Sequence, residues 1–369
     1  MRFKSDENSI LVLSFIIYVL IQPHQLNLTF TLDHIQVKRR FNFHSLNLDV
    51  TELQLNNDCG NLFNPSFVEN MVIYRCYFGE RNINEAIYHI HKLQFNQALD
   101  NSSIISINNE HSNSFDMAYE HPLDAIEWRR GHSSGWSWIG AEDGRFIIIK
   151  NEYYVVYTAP SQKVQVDVMR GVFIMPLKDA IHNKYTAKEI KNEIGFTRSS
   201  EKHWAFLYNP VLDSTFVIYQ LEPYTLGIMN SNHILFHHST RQYTCLQSDN
   251  QLMSINIATN AIKIIQTKNM YLLMYHKKYN GYLPYVLLVD ADYPHAPLMT
   301  STHPLQFNIE NEHFIFVNSL STTAGKLEAT RQDTLVVGLG LSDTAAAYAK
   351  VSVADILALH YTVCTVQDD

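Results

Sequence analysis

Strand-like runs recur along this chain, and their recurrence constrains the fold more than any other feature of the sequence. Each run is apolar, rich in aromatic and β-branched residues, and preceded by a turn-like or polar segment. The centres of the runs lie roughly 55–80 residues apart, about the length of one four-stranded sheet with its loops. The five runs are Asn70–Tyr77, Phe146–Thr158, Thr215–Gln220, Asn269–His276 and Asp333–Leu341.

Five recurrences predict an all-β fold, specifically a five-bladed β-propeller with one sheet per blade. A β-sandwich or jelly roll is the alternative, because its strands are also short and aromatic. Aromatic residues make up 12% of the 369 residues, which favours strands. The only helical segments that we expect are a short amphipathic helix over Ala187–Ile194 and a terminal helical turn over Val353–Leu359. Residues 98–121 are polar and predict a long loop.

The first 22 residues differ from the rest of the chain. Arg2 and Lys4 precede the apolar run Ile10–Ile21, which is shorter than the roughly 20 residues of a membrane span and typical of a signal-peptide core. We therefore expect a signal peptide or short signal anchor over residues 1–22, with a buried strand or helix as the alternative. An N-terminal extension over residues 23–50 and a catalytic propeller domain over residues 51–369 would follow.

A signal over residues 10–21 would direct the protein to the ER or Golgi lumen or out of the cell, and without such a signal it would remain cytoplasmic. The glycosylation sequons that begin at Asn27 and Asn101 agree with secretion. The four cysteines are too few for a disulfide scaffold, and Cys76 lies in an apolar strand, where a buried free thiol is expected.

Charge and histidine spacing argue against two kinds of partner. The net charge of −8 disfavours nucleic acid, which requires a basic surface. His89-x-His91 and His237-His238 have no carboxylate or third ligand at a recognised metal spacing. We therefore predict no metal and no cofactor.

Polar residues at strand ends are the candidate functional residues, because the inner strands of a propeller surround a central channel with a substrate site at its mouth. Asn64 and Ser66 flank Pro65 in a turn whose donors and acceptors suit sugar hydroxyls. Arg75 lies inside an apolar strand, where an unpaired charge is costly. It belongs either to the site or to a buried structural ion pair.

The segment Glu142-Asp143-Gly144-Arg145 concentrates charge in a chain that is only 17% charged. A carboxylic acid beside a second carboxylate and shielded from water suits general-acid catalysis, and Arg145 would orient it. A buried structural ion pair is again the alternative.

Later segments supply further candidates. Lys202 can bind an anion or a sugar oxygen, and nearby Trp204 can stack on a sugar ring. His276 ends an apolar strand and is followed by Tyr282. Asp343 follows a strand with small residues and is suited to hold sugar hydroxyls.

In their order, these segments resemble the five-bladed propellers of β-mannoside phosphorylases, that is, glycoside hydrolase family 130 and related mannosyltransferase/phosphorylase enzymes. The resemblance extends from about Asn64 to Leu359 and is carried by N-P-S, a strand with arginine, G-x-E-D-x-R, E-K-x-W, E-P, H-x(5)-Y and G-x-x-D. Gly144 replaces the family's proline, and His203 replaces an asparagine. These departures put phosphate use in doubt more than sugar binding.

The resemblance implies roles for individual residues. Asp143 would be the general acid, and Arg170 and His276 would bind phosphate. The residues expected to contact the substrate are Asn64, Ser66, Arg75, Glu142, Arg145, Lys202, Trp204, His276, Tyr282 and Asp343.

The predicted function is a carbohydrate-active enzyme that transfers or cleaves mannosyl-type residues by an inverting displacement. Phosphate, water or an acceptor hydroxyl would be the nucleophile, and a nucleotide sugar is an alternative donor. A non-catalytic glycan-binding propeller is the alternative function, and a purely structural interaction propeller is a third.

Overall fold

Strands form almost all of the regular structure in the computed structural model of the chain. The chain divides into two units, Met1–His44 and Ser45–Asp369. Among its described residues, the first unit contains one antiparallel pair, β1 (Thr31–Leu32) and β2 (Ile35–Gln36). The structure describes residues 31–32, 35–36, 46–53, 61–83, 86–98, 112–116, 136–140, 142–160, 170–181, 186–192, 203–230, 233–235, 240–247, 254–265, 269–278, 281–309 and 314–367.

The second unit begins with β3 (Asn47–Glu52) and continues into two sheets that are antiparallel meanders. In the first sheet, one strand is added in parallel to the meander. The first sheet contains β4 (Asn61–Val68), β5 (Met71–Ile83), β6 (Ala86–Ala98), β7 (Ser112–Asp116) and the parallel strand β8 (Trp136–Gly140). The second contains β9 (Glu142–Ile149), β10 (Glu152–Pro160), β11 (Arg170–Pro176), the helix α1 (Leu177–Ile181) after β11, and β12 (Lys188–Glu189).

The third and fourth sheets follow in the same manner. The third contains β13 (Lys191–Asn192), β14 (Ala205–Asn209), β15 (Ser214–Leu221), β16 (Tyr224–Asn230) and β17 (His233–Leu235). A 3₁₀ turn at Thr244–Leu246 leads to the fourth, which contains β18 (Ser254–Ile257), β19 (Ile262–Ile264), β20 (Met270–Lys278), β21 (Tyr282–Asp290) and β22 (Pro297–Ser301).

The last part of the chain builds the fifth sheet and adds strands to the fourth. It contains β23 (Gln306–Asn308), β24 (Ile315–Thr322), β25 (Glu328–Ala329), β26 (Thr334–Leu341), β27 (Ala345–Ser352), the helix α2 (Val353–Leu357) and β28 (Tyr361–Val363). Strands β25 and β28 join the fourth sheet. The fifth sheet has the order β23-β3-β27-β26-β24, so the early strand β3 completes a sheet formed by the end of the chain.

The sheets pack against one another in a closed ring. Within the described residues, buried apolar side chains form five clusters, and each cluster lies between two sheets that are consecutive in the chain or, in one case, between the fifth sheet and the first. In that last cluster Tyr74 of β5 packs with Val336 of β26. A closed ring of sheets is the arrangement of a β-propeller, so the predicted all-β propeller fold is confirmed. The domain boundary drawn at residue 51 falls inside β3.

The five recurring runs lie in five different sheets of the ring, and four of them are equivalent strands. The runs that begin at Asn70, Thr215, Asn269 and Asp333 correspond to β5, β15, β20 and β26, each the second strand of its meander. The run Phe146–Thr158 is a hairpin of β9 and β10 instead of a single strand. Its turn is formed by two residues with positive φ, Lys150 and Asn151, as in the tight turns that join antiparallel strands.

Local predictions outside these strands have mixed outcomes. The helix expected over Ala187–Ile194 is wrong, because that segment forms β12 and β13, which pair with β11 and β17. Val353–Leu357 is helical, as expected, and the side chain of Ser352 caps the helix by accepting a hydrogen bond from the Asp355 amide. The loop expected over residues 98–121 contains β7.

A disulfide between Cys245 and Cys364 links the 3₁₀ turn to the segment after β28. Cys76 is disulfide-bonded, so the expectation of a free thiol there is wrong. In the part of the chain that the structure describes, no helix has the length and apolarity needed to cross a bilayer. The predicted signal segment and the sequons at Asn27 and Asn101 lie outside the described residues.

Candidate functional site

The edge strands β4, β9, β14 and β24 of four sheets carry the candidate site: β4, β9 and β24 contact one another, and β14 contacts β9. Three non-glycine residues in or just before these strands have left-handed backbone: Asn64 (φ 53°), Asp143 (φ 52°) and His203 (φ 67°). Such conformations are uncommon outside glycine and cluster at functional sites. The irregular pairing of β4 with β5 at Asn64 also turns its side chain out of the normal alternation of a strand.

A buried group of four side chains joins the first two sheets, and we call it the Arg75 group: Asn64, Arg75, Glu142 and Asp143. Arg75 Nη2 donates a hydrogen bond to Glu142 Oε1 at 3.1 Å, and Arg75 Nη1 lies 3.8 Å from Asp143 Oδ1. Asn64 Nδ2 donates to the same Asp143 oxygen at 2.7 Å. The three charged side chains retain only 8–10% of their exposure, so their charges interact with little screening by water.

Arg145 adds a second buried cation beside this group. Its burial lowers the pKa of the guanidinium from 12.5 to about 10, and the negative charge of Asp143 opposes that shift. A pKa of about 10 keeps Arg145 protonated at neutral pH. Arg75 and Arg145 therefore place two guanidinium groups near Asp143, and Arg75 also contacts Glu142.

Asn318 is a functional candidate that the sequence analysis missed. Its amide oxygen accepts a hydrogen bond from Arg145 Nε at 3.5 Å, and its Nδ2 donates to the backbone oxygens of Asn64 at 2.9 Å and Gly144 at 3.2 Å. Asn318 is fully buried, and it ties β24 to β4 and β9. An asparagine within the apolar run IFVNSLS was the signal in the sequence, of the same kind as Arg75 in its own strand.

Ser66 has a structural contact in this arrangement. Its hydroxyl accepts a hydrogen bond from the Phe146 amide at 3.2 Å and is buried. The bond links β4 to β9 directly beside the Arg75 group. The predicted sugar contact of Ser66 remains a prediction.

A small, partly open cavity of about 20 Å³ lies beside Asp143 and Arg145, which is room for about one water molecule. The indole of Trp204, on its wall, is 3% exposed and lies 5.5 Å from the Tyr219 ring between centroids. Burial leaves no open indole face for the expected stacking on sugar, although Trp204 Nε1 has no hydrogen-bond partner among the described residues. Polar and aromatic residues of the lining include Asp143, Arg145, Thr158, His203, Trp204 and Asn260.

His276 is buried close to Arg145. Its Nε2 accepts a hydrogen bond from the Val317 amide at 3.1 Å. Burial, assisted by the charge of Arg145, lowers the pKa of the imidazole from 6.5 to about 3. His276 is therefore neutral at neutral pH, and any phosphate contact that it makes would use a neutral N–H instead of a positive charge.

Replacing His276 with glutamine is expected to make the protein less sensitive to acid. Between pH 6.5 and about pH 3 the unfolded chain binds a proton that the folded chain does not, so the free energy of unfolding falls as the pH falls. The slope is up to about 1.4 kcal/mol per pH unit. Urea unfolding of both proteins at several pH values in this window measures the slope. If the free energy of unfolding depends on pH equally in both proteins, the lowered pKa of His276 is contradicted.

The remaining predicted residues have different placements. The ring centroid of Tyr282 lies 5.2 Å from that of His276. Asp343 lies in the exposed turn between β26 and β27, with a φ of 53°. Lys202 lies outside the described residues. The backbone of Arg170 begins β11, and its side chain is also outside the described part.

Comparison with known proteins identifies similarity at the level of the fold. No protein-family model matches the chain, and no curated protein matches it significantly. The structure is similar to that of β-1,2-mannobiose phosphorylase from Listeria innocua in complex with β-1,2-mannobiose, with a TM-score of 0.53, 13% identity, and coverage of 84% of this chain and 95% of that chain. A glycosyl hydrolase from Bacteroides ovatus gives a TM-score of 0.52 at 13% identity, with coverage of 79% and 84%.

Proposed function

We propose that this protein is a carbohydrate-active enzyme that transfers or cleaves a mannosyl-type residue, with Asp143 as the general acid. The observation that carries the proposal is the position of Asp143. Its carboxyl group borders the cavity, and Asn64 Nδ2 and Arg75 Nη1 fix one of its oxygens. A fixed carboxyl group beside a cavity suits proton donation to a leaving glycosidic oxygen, directly or through a substrate hydroxyl.

The similarity in fold supports a carbohydrate as the class of substrate. One of the similar structures is a mannobiose phosphorylase that holds β-1,2-mannobiose, and another is a glycosyl hydrolase. The ordered motifs of the chain resemble the same group of enzymes. Together they favour a mannosyl-type substrate.

The carboxylates of the site favour phosphorolysis or transfer over hydrolysis. Inverting hydrolysis requires a second carboxylate, roughly 6.5–9.5 Å from the acid, to activate water. Among the described residues that line the cavity, Asp143 is the only carboxylate, and Glu142 is hydrogen-bonded to Arg75 instead. Phosphate is already an anion and requires no base, and in the reverse transfer from mannose 1-phosphate Asp143 itself would take up the proton of the acceptor hydroxyl. Arg145, which keeps its positive charge at the cavity, is suited to face an anionic nucleophile or leaving group.

A substrate screen tests this function. Purified protein is incubated with β-linked mannobiose with and without phosphate, and with mannose 1-phosphate or GDP-mannose plus mannose as acceptor. Release of mannose 1-phosphate, or its use as a donor, is the expected result. Turnover of none of these donors would contradict the proposal.

A non-catalytic glycan-binding propeller is the second candidate. It is favoured by the small cavity and by the existing contacts of Asp143 with Asn64 and Arg75, since a carboxylate held in this way can accept hydrogen bonds from sugar hydroxyls without any chemistry. Binding of mannosides without turnover would support this candidate.

We also propose that the protein works in the secretory pathway. The disulfide between Cys245 and Cys364 supports this location, because stable disulfides form mainly in oxidising compartments. The full-length chain expressed in eukaryotic cells should reach the lumen and carry endoglycosidase-sensitive glycans at Asn27 or Asn101. A cytosolic chain without glycans would contradict the proposal.

A further inference from the structure

A row of aromatic rings leads from the cavity towards the surface. His203 lines the cavity, and its ring centroid lies 6.2 Å from that of Phe316. Phe316 lies 5.3 Å from Tyr282, and Tyr282 lies 6.0 Å from Phe314. His203 is half-buried, Phe316 is 8% exposed, Tyr282 is half-buried, and Phe314 at the far end is 42% exposed. The row therefore begins in the candidate site and ends in solvent.

The outer end of the row presents an exposed aromatic side chain, that of Phe314. Lys278 Nζ lies 5.2 Å from the centroid of the Tyr282 ring and adds a hydrogen-bond donor there. An exposed apolar patch with a polar rim beside a cavity is typical of a ligand site.

The chemistry of the patch fits one kind of occupant. A sugar ring has an apolar face of C–H groups that packs on an aromatic ring and an edge of hydroxyls that accepts and donates hydrogen bonds. A sugar linked to the one beside Asp143 would leave the cavity along this row. We propose that Tyr282 and Phe314 form a stacking platform for that next sugar, so that the protein acts on oligosaccharides or glycan chains in preference to single sugars. This proposal rests on the proposed function, because it takes the cavity as a sugar site.

Phe314→Ala tests the platform through binding, which does not depend on turnover. Isothermal titration calorimetry with mannose and with β-linked mannotriose compares a ligand of one sugar, which occupies only the position beside Asp143, with a ligand that also reaches the row. Loss of the ring is expected to weaken mannotriose binding about tenfold, the size of one aromatic stacking contact, and to change mannose binding much less. Phe314→Trp, which keeps an aromatic face, should restore the affinity for mannotriose.

Leu212→Ala is the matched control. Leu212 is 48% exposed and lies in the turn between β14 and β15, away from the row. This change should leave the binding of both sugars unaltered. Thermal unfolding of each variant checks that the fold is retained.

The outcomes separate the platform from the proposed function. Equal loss for mannose and mannotriose in Phe314→Ala, or no loss for either, would overturn the platform even if turnover depends on Asp143. Selective loss for mannotriose would support the platform even if Asp143→Asn leaves turnover unchanged, a result that overturns only the acid role. Binding of a protein to the patch in place of sugar would overturn the platform.

Discussion

Asp143→Asn is expected to lower kcat by about 10²–10⁴-fold with little change in thermal stability. The amide cannot donate a proton to the leaving oxygen as an acid does. It can still accept the hydrogen bond that Asn64 Nδ2 now donates to Asp143. Residue 143 has a φ of 52°, and asparagine tolerates left-handed backbone better than most other residues. The variant therefore loses the acidic proton but keeps the backbone conformation and the hydrogen bond from Asn64.

Asp213→Asn is the matched control for this experiment. Asp213 is also an aspartate with left-handed backbone, φ 46°, but it is exposed in the turn between β14 and β15, where it pairs with Lys150. Its replacement should leave activity unchanged.

The leaving group provides a second test of the acid role. A mannoside with a nitrophenolate leaving group needs little protonation, so Asp143→Asn should impair its turnover far less than that of mannobiose. An equal loss on both substrates would indicate that Asp143 positions the substrate. Full activity of Asp143→Asn on mannobiose would remove it from the mechanism.

The fold was predictable from the sequence because its signal is repeated. Four of the five runs, such as Thr215–Gln220, are the second strand of a meander, and that strand is buried on both faces, so it stands out as apolar without any knowledge of its neighbours. The segment that begins at Ala187 shows the opposite case. Its helical pattern is weak, and pairing of β12 with β11 decides its conformation, which is a contact that no local pattern reports.

The site was predictable in part for a similar reason. Arg75 and Glu142 stood out as charges in apolar surroundings, but the sequence did not show that they pair across 67 positions. Asn318 was missed because a single asparagine in a strand is a common event. Only the bulge between β24 and β26, and the meeting of β24 with β4 and β9, give its amide four partners: Arg145, Asn64, Pro65 and Gly144.

Arg75→Met is expected to lower the free energy of unfolding by about 3–5 kcal/mol, because it removes the cation that faces two buried carboxylates. Arg75 is 8% exposed, and its guanidinium also lies 4.7 Å from the centroid of the Phe63 ring. Chemical denaturation of the variant measures the loss. Lys150→Met is the matched control, since Lys150 and Asp213 form an ion pair with side chains that are more than half exposed, and its effect should be far smaller.

A double-mutant cycle with Glu142→Gln separates the cost of an unpaired charge from the cost of lost packing. If Arg75 and Glu142 are coupled, the double variant should be more stable than the sum of the two single losses predicts. In the double variant, no carboxylate at position 142 is left buried without its cation. Additive losses would contradict the coupling.

The same cycle, measured by activity, also tests whether the Arg75 group is structural or positions Asp143. A double variant that regains stability without activity would show that Arg75 and Glu142 position Asp143 for chemistry, since a purely structural ion pair replaced by neutral groups would recover both.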